Sequence, residues 1–438
     1  MRVFAAIFII LLIQTAYSSE FYFLGEVDWT LGVDNDLDFN KNTSESPFFN
    51  AFLLKLREDA YLPYNFGLTA EVHLKYNDGD DGNPYSSYNA DNDEFKVRNA
   101  SIKWDCTGIN SRIRAGIQPI ELPSATFGNP LFSGYINALN ISTIKPEKVY
   151  WQLFIASPIQ NNDRMPKANS AVIGGGILDF IGENFEFAPY FIAAYLKHQE
   201  DSTFDWASAP NNAHSYLLGG GAAAKYNFNK NISAALDLVI ADTNNSGPHH
   251  YENKGYFSAA LLEYDIHSGL LGLFGWYSSG NSSKLQNHND YGLLPTMAGE
   301  SSFHPTRLAF KGDISEGRDA AVSENSAGTA GIGVHLKQLR FLSNLEHIFR
   351  LAYITGTSTD QGAGAPAAVI VESYAKKRGE PAVMTDKDYA LEIDFDSVLD
   401  ITDCIRAALE IAYIFSGYAD KRYDTDIYNV ELSIRYIF

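Results

Sequence analysis

The sequence is short of cysteine, of basic residues and of long apolar runs. Two cysteines in 438 residues cannot build a disulfide framework. Lys and Arg total 33 against 53 Asp and Glu, a formal charge of −20. A chain of that sign is a poor binder of nucleic-acid phosphates, so no nucleic-acid partner is expected. Nor are there the repeated uncharged stretches of about 20 residues that a helical membrane protein needs. Catalytic patterns are missing as well. No Gly-x-Ser-x-Gly surrounds any serine, and Gly219–Lys225 is no phosphate loop, because Tyr226 and not Ser or Thr follows the lysine. His73 and His347 lie far apart with no partner motif. No enzyme activity, cofactor or metal is expected. What the chain does have is aromatic content: 26 Tyr and 28 Phe, too much for a disordered chain.

The two ends are informative. Met1-Arg2 is a short positive start, Phe4 to Ile13 is apolar, and Ala16-Tyr17-Ser18 supplies small residues at a cleavage site. Residues 1–18 therefore read as a signal peptide, with Ser19 as the alternative cleavage position. At the other end Tyr428, Val430, Leu432, Ile434, Tyr436 and Phe438 share one face of a strand, and Asn429, Glu431, Ser433 and Arg435 share the other. A terminal Phe438 with Tyr436 two residues earlier resembles the C-terminal assembly signal of bacterial outer-membrane barrels.

The same period of two recurs between the ends. Phe66, Leu68, Ala70, Val72 and Leu74 oppose Thr69, Glu71, His73 and Lys75; Tyr389, Leu391, Ile393 and Phe395 oppose Glu392 and Asp394. About 18 such segments can be placed, or 16 if the weak ones near 134–143 and 171–181 are dropped. Their connections alternate short and long, and the first is long. The expectation is an all-β transmembrane antiparallel barrel over 19–438, with short periplasmic turns, long outer loops and no second domain. Cys106 and Cys404 fall at short turns several strands apart and read as unpaired thiols.

In a barrel the polar face lines a wet lumen. Lys55, Arg57, Lys75, Arg112 and Arg114 then form a basic patch on strands two to five. Arg98 sits where the apolar phase slips, as at a β-bulge. Glu392, Asp394, Glu410, Glu431, Glu26 and Asp28 form an acidic patch on strands sixteen to eighteen and one, diluted by Arg406 and Arg435. The alternative is that charges fall at random on a polar wall. Asp34, Asp36 and Asp38 in the first loop, and Asp78, Asp80, Asp81, Asp91 and Asp93 in the second, read as solvated surface or as bridges through divalent cations to lipopolysaccharide phosphates. His249-His250-Tyr-Glu252 reads as an inert exposed pair before a metal site.

Three stretches carry a family resemblance: Arg114-Ala-Gly-Ile-Gln-Pro-Ile120 running into Leu122-Pro-Ser-Ala-Thr-Phe-Gly-Asn-Pro130, Leu273-Phe-Gly-Trp-Tyr-Ser-Ser-Gly280, and Leu345-Glu-His-Ile-Phe-Arg-Leu-Ala-Tyr353. They resemble the trimeric diffusion porins of Gram-negative outer membranes, in particular the homotrimeric porins of sulfate-reducing bacteria. The Pro-Glu-Phe-Gly-Gly motif of the enteric porins is absent. The resemblance implies a homotrimer in outer-membrane lipid and lipopolysaccharide, passing small hydrophilic solutes by passive diffusion. It also implies that the loop near 120–133 folds inward as a constriction, with Glu121 its one charge. Summing loop and wall charges gives an expected weak preference for cations. A substrate-selective, sugar-type porin is the alternative, hinted at by inward Tyr150 and Phe154; a barrel enzyme or adhesin is a third.

Overall fold

The computed structural model describes residues 20–34, 48–78, 94–157, 170–197, 214–245, 251–281, 290–295, 303–310, 327–359, 384–419 and 426–438. The expected leader, most of the acidic loop residues and the His249-His250 pair lie outside these.

Eighteen long strands form one wall: β1 Glu20–Asp34, β2 Phe48–Leu62, β3 Phe66–Asp78, β4 Glu94–Cys106, β5 Ser111–Glu121, β6 Ser133–Thr143, β7 Val149–Ser157, β8 Ser170–Ile181, β9 Phe185–Lys197, β10 His214–Asn227, β11 Ile232–Asn245, β12 Tyr251–Asp265, β13 Leu270–Ser278, β14 Thr329–Leu342, β15 Leu345–Gly356, β16 Tyr389–Thr402, β17 Ile405–Gly417 and β18 Ile427–Ile437. Each is antiparallel to its sequence neighbours, and β1 pairs with both β2 and β18, which closes the ring. The count is 18 and not 16, because both weak segments are strands. Closure leaves the wall without an edge.

Alternation sorts the side chains. Trp29, Phe52, Leu153, Ile155, Phe191, Leu218, Ile240 and Tyr353 are exposed on the outside. Their sequence neighbours point inward and are polar or buried. A water-soluble surface rarely carries so continuous an apolar band. A bilayer core accommodates it and demands a closed ladder of backbone hydrogen bonds, which this ring supplies.

The seam joins the chain's first and last strands. Gly25 and Phe438 exchange backbone hydrogen bonds of 2.8 and 2.9 Å. The Phe438 ring stands where a Cβ on residue 25 would lie, 2.2 Å from the nearest ring atom, so any larger residue there must displace that ring. On the inner side Arg435 bridges the seam to Asp28 at 2.7 Å and Glu26 at 3.4 Å. The bulge expected near Arg98 is present: Glu71 pairs with Asn99 but Val72 with Val97, leaving Arg98 as the extra residue. Cys106 and Cys404 are both free.

Candidate functional site

Two outer connections run into the barrel and pack on its inner wall. The first links β5 to β6. Leu122, Leu131 and Phe132 are buried with Ile136, Ile192 and Leu217 of the wall. Its tip is held by one carboxylate, Asp237 of β11, six strands round from β5. Asp237 accepts hydrogen bonds from the backbone N–H of Ala125 at 2.7 Å and Thr126 at 3.0 Å, from Ser124 Oγ at 2.6 Å, and from Thr126 Oγ1. Asn129 donates to Tyr190 OH at 2.6 Å and to Pro123 O at 2.9 Å, which fixes the return limb. Gly128 takes φ +107°, a conformation that L side chains rarely adopt, and its N–H reaches Ser124 Oγ at 3.0 Å.

Glu121 is a correction. It is the last residue of β5 and alternates with Ile120 and Leu122, both buried inside. The alternation turns its side chain away from the lumen. The carboxylate that holds this segment is Asp237, an inward residue of a distant strand.

The second inserted segment, residues 303–310, comes from the connection between β13 and β14. Phe303 packs edge-on against Phe257 and Trp276 of the wall at 4.9 and 5.8 Å between centroids. It also meets the first segment: the His304 N–H donates to Phe127 O at 2.8 Å, and the Phe127 and Phe303 rings lie 6.4 Å apart. Phe127 is further enclosed by Phe274 and His335, with Lys337 Nζ 5.2 Å from its ring centre.

Beyond Phe303 the segment lies on the acidic patch. Glu392 accepts from Thr306 Oγ1 at 2.6 Å, Ala309 N–H at 3.1 Å and Leu308 N–H, and Asp394 accepts the Arg307 N–H at 3.0 Å. The wall register places Asp396 opposite Glu410, and Glu410 opposite Glu431. Three carboxylates thus form a row across adjacent strands. Neighbours about 5 Å apart repel by roughly 3 kcal/mol at an effective dielectric near 20, so a bare row is unstable. The Arg307 guanidinium fills it, with Nε 3.3 Å from Glu410 and 4.0 Å from Asp396, and Nη2 3.2 Å from Glu431. Arg350 supplies a second cation, 2.7 Å from Asp396 and 3.9 Å from Asp394. Arg307 and these acids are at most 1 % exposed.

The basic patch is different. Lys55 pairs with Glu26 at 3.2 Å, Arg57 with Asp59 at 2.8 Å and Glu71 at 3.6 Å, and Arg112 with Asp105 at 2.6 Å. The side chains stay partly open: 43 % exposed for Arg57, 34 % for Arg112 and 21 % for Lys55. Arg114 donates to Ser101 Oγ at 2.9 Å and Asn99 Oδ1 at 3.3 Å, both uncharged. Lys75 lies upstrand of His73, which meets Glu71 at 2.8 Å. Arg98 sits over the Tyr135 ring, 5.3 Å from its centre. Glu26 and Asp28 belong to the seam with Arg435 and not to the acidic cluster. Of the two hinted aromatics, Phe154 is buried against Gly175, and Tyr150 donates to Gln152 at 2.8 Å.

No family model and no curated protein sequence matches this chain. Solved structures do. OccK8 (OprE) of Pseudomonas aeruginosa superposes with a TM-score of 0.59 at 11 % identity, over 96 % of this chain and 99 % of that one. OpdK of the same organism, solved with vanillate, gives 0.57 at 12 %, over 96 % and 99 %. OccK11 (OpdR) gives 0.52 at 13 %, over 96 % and 97 %. The chain shares the closed 18-strand antiparallel barrel fold of these structures. These structures support the barrel; the likeness to the homotrimeric porins of sulfate-reducing bacteria rests on the three sequence stretches alone. In this barrel the predicted wall residues other than Glu121 sit on the inward phase of their strands, with Arg98 at the bulge and Glu26 and Asp28 at the seam. Sequence reasoning missed Asp237, Arg307 and Arg350. Asp237 and Arg350 carried one legible signal, a charge on the inward phase of a strand; Arg307 carried none.

Proposed function

We propose that the protein is a passive channel of a bacterial outer membrane for small hydrophilic solutes, narrowed by the segments 122–132 and 303–310. The observation that carries this reading is the inverted surface: exposed Leu, Ile, Phe and Trp outside a closed ring, ionised side chains inside it. Purified protein added to a planar bilayer should give discrete conductance steps. Their absence from a folded sample would remove the reading. Export through a leader cleaved after Ser18 belongs to the same proposal, and the N-terminal sequence of the membrane-extracted protein tests it.

The charge preference follows from which wall the solute meets. The expectation of cation preference counted carboxylates that the 303–310 segment covers, and it counted Glu121. With these withdrawn, the partly open charges of the basic patch among the described residues are Lys55, Arg57, Arg112 and Arg114 with their local acids. We therefore propose anion preference, and small carboxylates as the solute class. The OpdK structure, with vanillate, offers a solute of that class to try first. A reversal potential showing cation preference would overturn this half alone. The homotrimer rests only on the three sequence stretches; a one-chain mass in detergent would remove it.

A further inference from the structure

The inference drawn here rests on the channel reading and concerns what sets the channel's width. Arg307 touches no open lumen surface, being 1 % exposed, yet its position organises the inserted segment. Five carboxylates from three strands converge on residues 306–309, from Glu392, Asp394 and Asp396 of β16, Glu410 of β17 and Glu431 of β18. Wall geometry alone puts three of them in a row of like charge, which a sheet does not tolerate uncompensated. Arg350 reaches only the Asp394 and Asp396 end of the cluster. Glu410 and Glu431 at the other end meet the Arg307 guanidinium.

We propose that Arg307 is a latch: its charge, locked into the carboxylate row, holds residues 303–310 against the wall and so fixes the bore of the channel. It is a positioning residue, acting on solute flow through the segment it anchors. The effect extends to the other segment, because the His304 N–H donates to Phe127 O and the Phe303 ring packs edge-on against Phe127. Loss of the latch should therefore widen the passage at both insertions.

The asymmetry of buried ion pairs makes the proposal testable. Removing one partner of a buried cluster leaves uncompensated charge, whereas removing both sides together is far milder. Arg307→Met preserves length and apolar bulk but leaves the row bare. Its repulsion and demand for water should expel the segment, raising single-channel conductance about twofold or more, as an unplugged bore requires. The combined variant Arg307→Met, Asp396→Asn, Glu410→Gln, Glu431→Gln removes the cation and the row together. It keeps Glu392, Asp394 and the Phe303 contacts, and should return conductance close to wild type.

The experiment records single-channel conductance of wild type, Arg307→Met and the combined variant, each checked for its heat-modifiable folded form. High conductance in the single variant and recovery in the combined one is the expected result. Equal conductance in wild type and Arg307→Met overturns the latch. So does failure of the combined variant to recover, since the segment would then depend on the arginine's shape and not on the charge balance. If Arg307→Met does not fold, Arg307→Lys decides: a point charge that reaches the row should keep most of the wild-type conductance, and a fully opened channel in that variant overturns the proposal. A wild-type protein without conductance steps would instead refute the channel reading itself.

Discussion

The two sides of the lumen hold opposite charges and keep them in opposite ways. The acidic side, Glu392, Asp394, Asp396, Glu410 and Glu431, is dry and answered by Arg307 from an inserted segment and Arg350 from the wall. The basic side, Lys55, Arg57, Arg112 and Arg114, is half-open and answered by acids or neutral groups on its own and neighbouring strands. Buried charge has become structure, since desolvated pairs are strong when complete and costly when broken. Open charge stays available to solutes, since water and salt screen each pair and no single one is indispensable. A census of charge by sign misses this distinction; what matters is which charges another segment covers.

The difference can be broken from the acidic side first. Glu392→Ala strips three donors, two of them backbone N–H groups, of their acceptor. Each buried orphan costs about 1–3 kcal/mol, so the inserted segment should lose roughly 3 kcal/mol or more of its anchoring. Wider conductance steps, and protease cleavage near residue 307 in folded protein, are the expected readings; a protected segment would show that the carboxylate is not its main hold. Asp237→Ala should act similarly on the other insertion, by about 2–3 kcal/mol, because Ala125, Thr126 and Ser124 all lose one acceptor. Here the check is uptake of solutes too large for the wild-type channel.

The basic side should respond differently. Replacing Arg57, Arg112 and Arg114 together by Gln should leave the fold intact and move the anion-to-cation permeability ratio about threefold toward cations at 0.1 M salt, where the screening length is about 10 Å. The shift should shrink at 1 M, where that length is about 3 Å. Asp396→Asn alone should barely alter the ratio, since its carboxylate is covered; a change matching that of the triple variant would mean solutes reach the acidic wall after all.

Much of the wall was legible in the sequence. Period-two alternation located strands as weak as Ser133–Thr143 and Ser170–Ile181, and a break in that period placed the extra residue at Arg98. Inward phase identified both charged patches before any pairing was known. The inserted segments were legible only in part. The Leu122–Pro130 stretch pointed by resemblance to an inward loop, but nothing local pointed to Asp237, which lies more than a hundred residues away. Arg307 sits in a long connection without periodicity, and what makes it consequential is a row of acids that exists only after β16, β17 and β18 are in register. Glu121 was misread because a loop boundary was drawn two residues before the strand had ended.

The seam between β1 and β18 has a kinetic consequence. Arg435 and Asp28 are separated by 407 positions in the chain, and they close the ring. Every other wall pairing joins sequence neighbours across a turn or a loop, so hairpins can accumulate with little entropy loss. The last closure must confine nearly the whole chain, costing roughly 5 kcal/mol in loop entropy alone. Such a contact forms late, after the rest of the sheet has curled toward itself. Substitutions at Asp28, Arg435, Gly25 or Phe438 should then leave early collapse rates untouched and speed reopening, so that the barrel's lifetime in the membrane is governed by its hem.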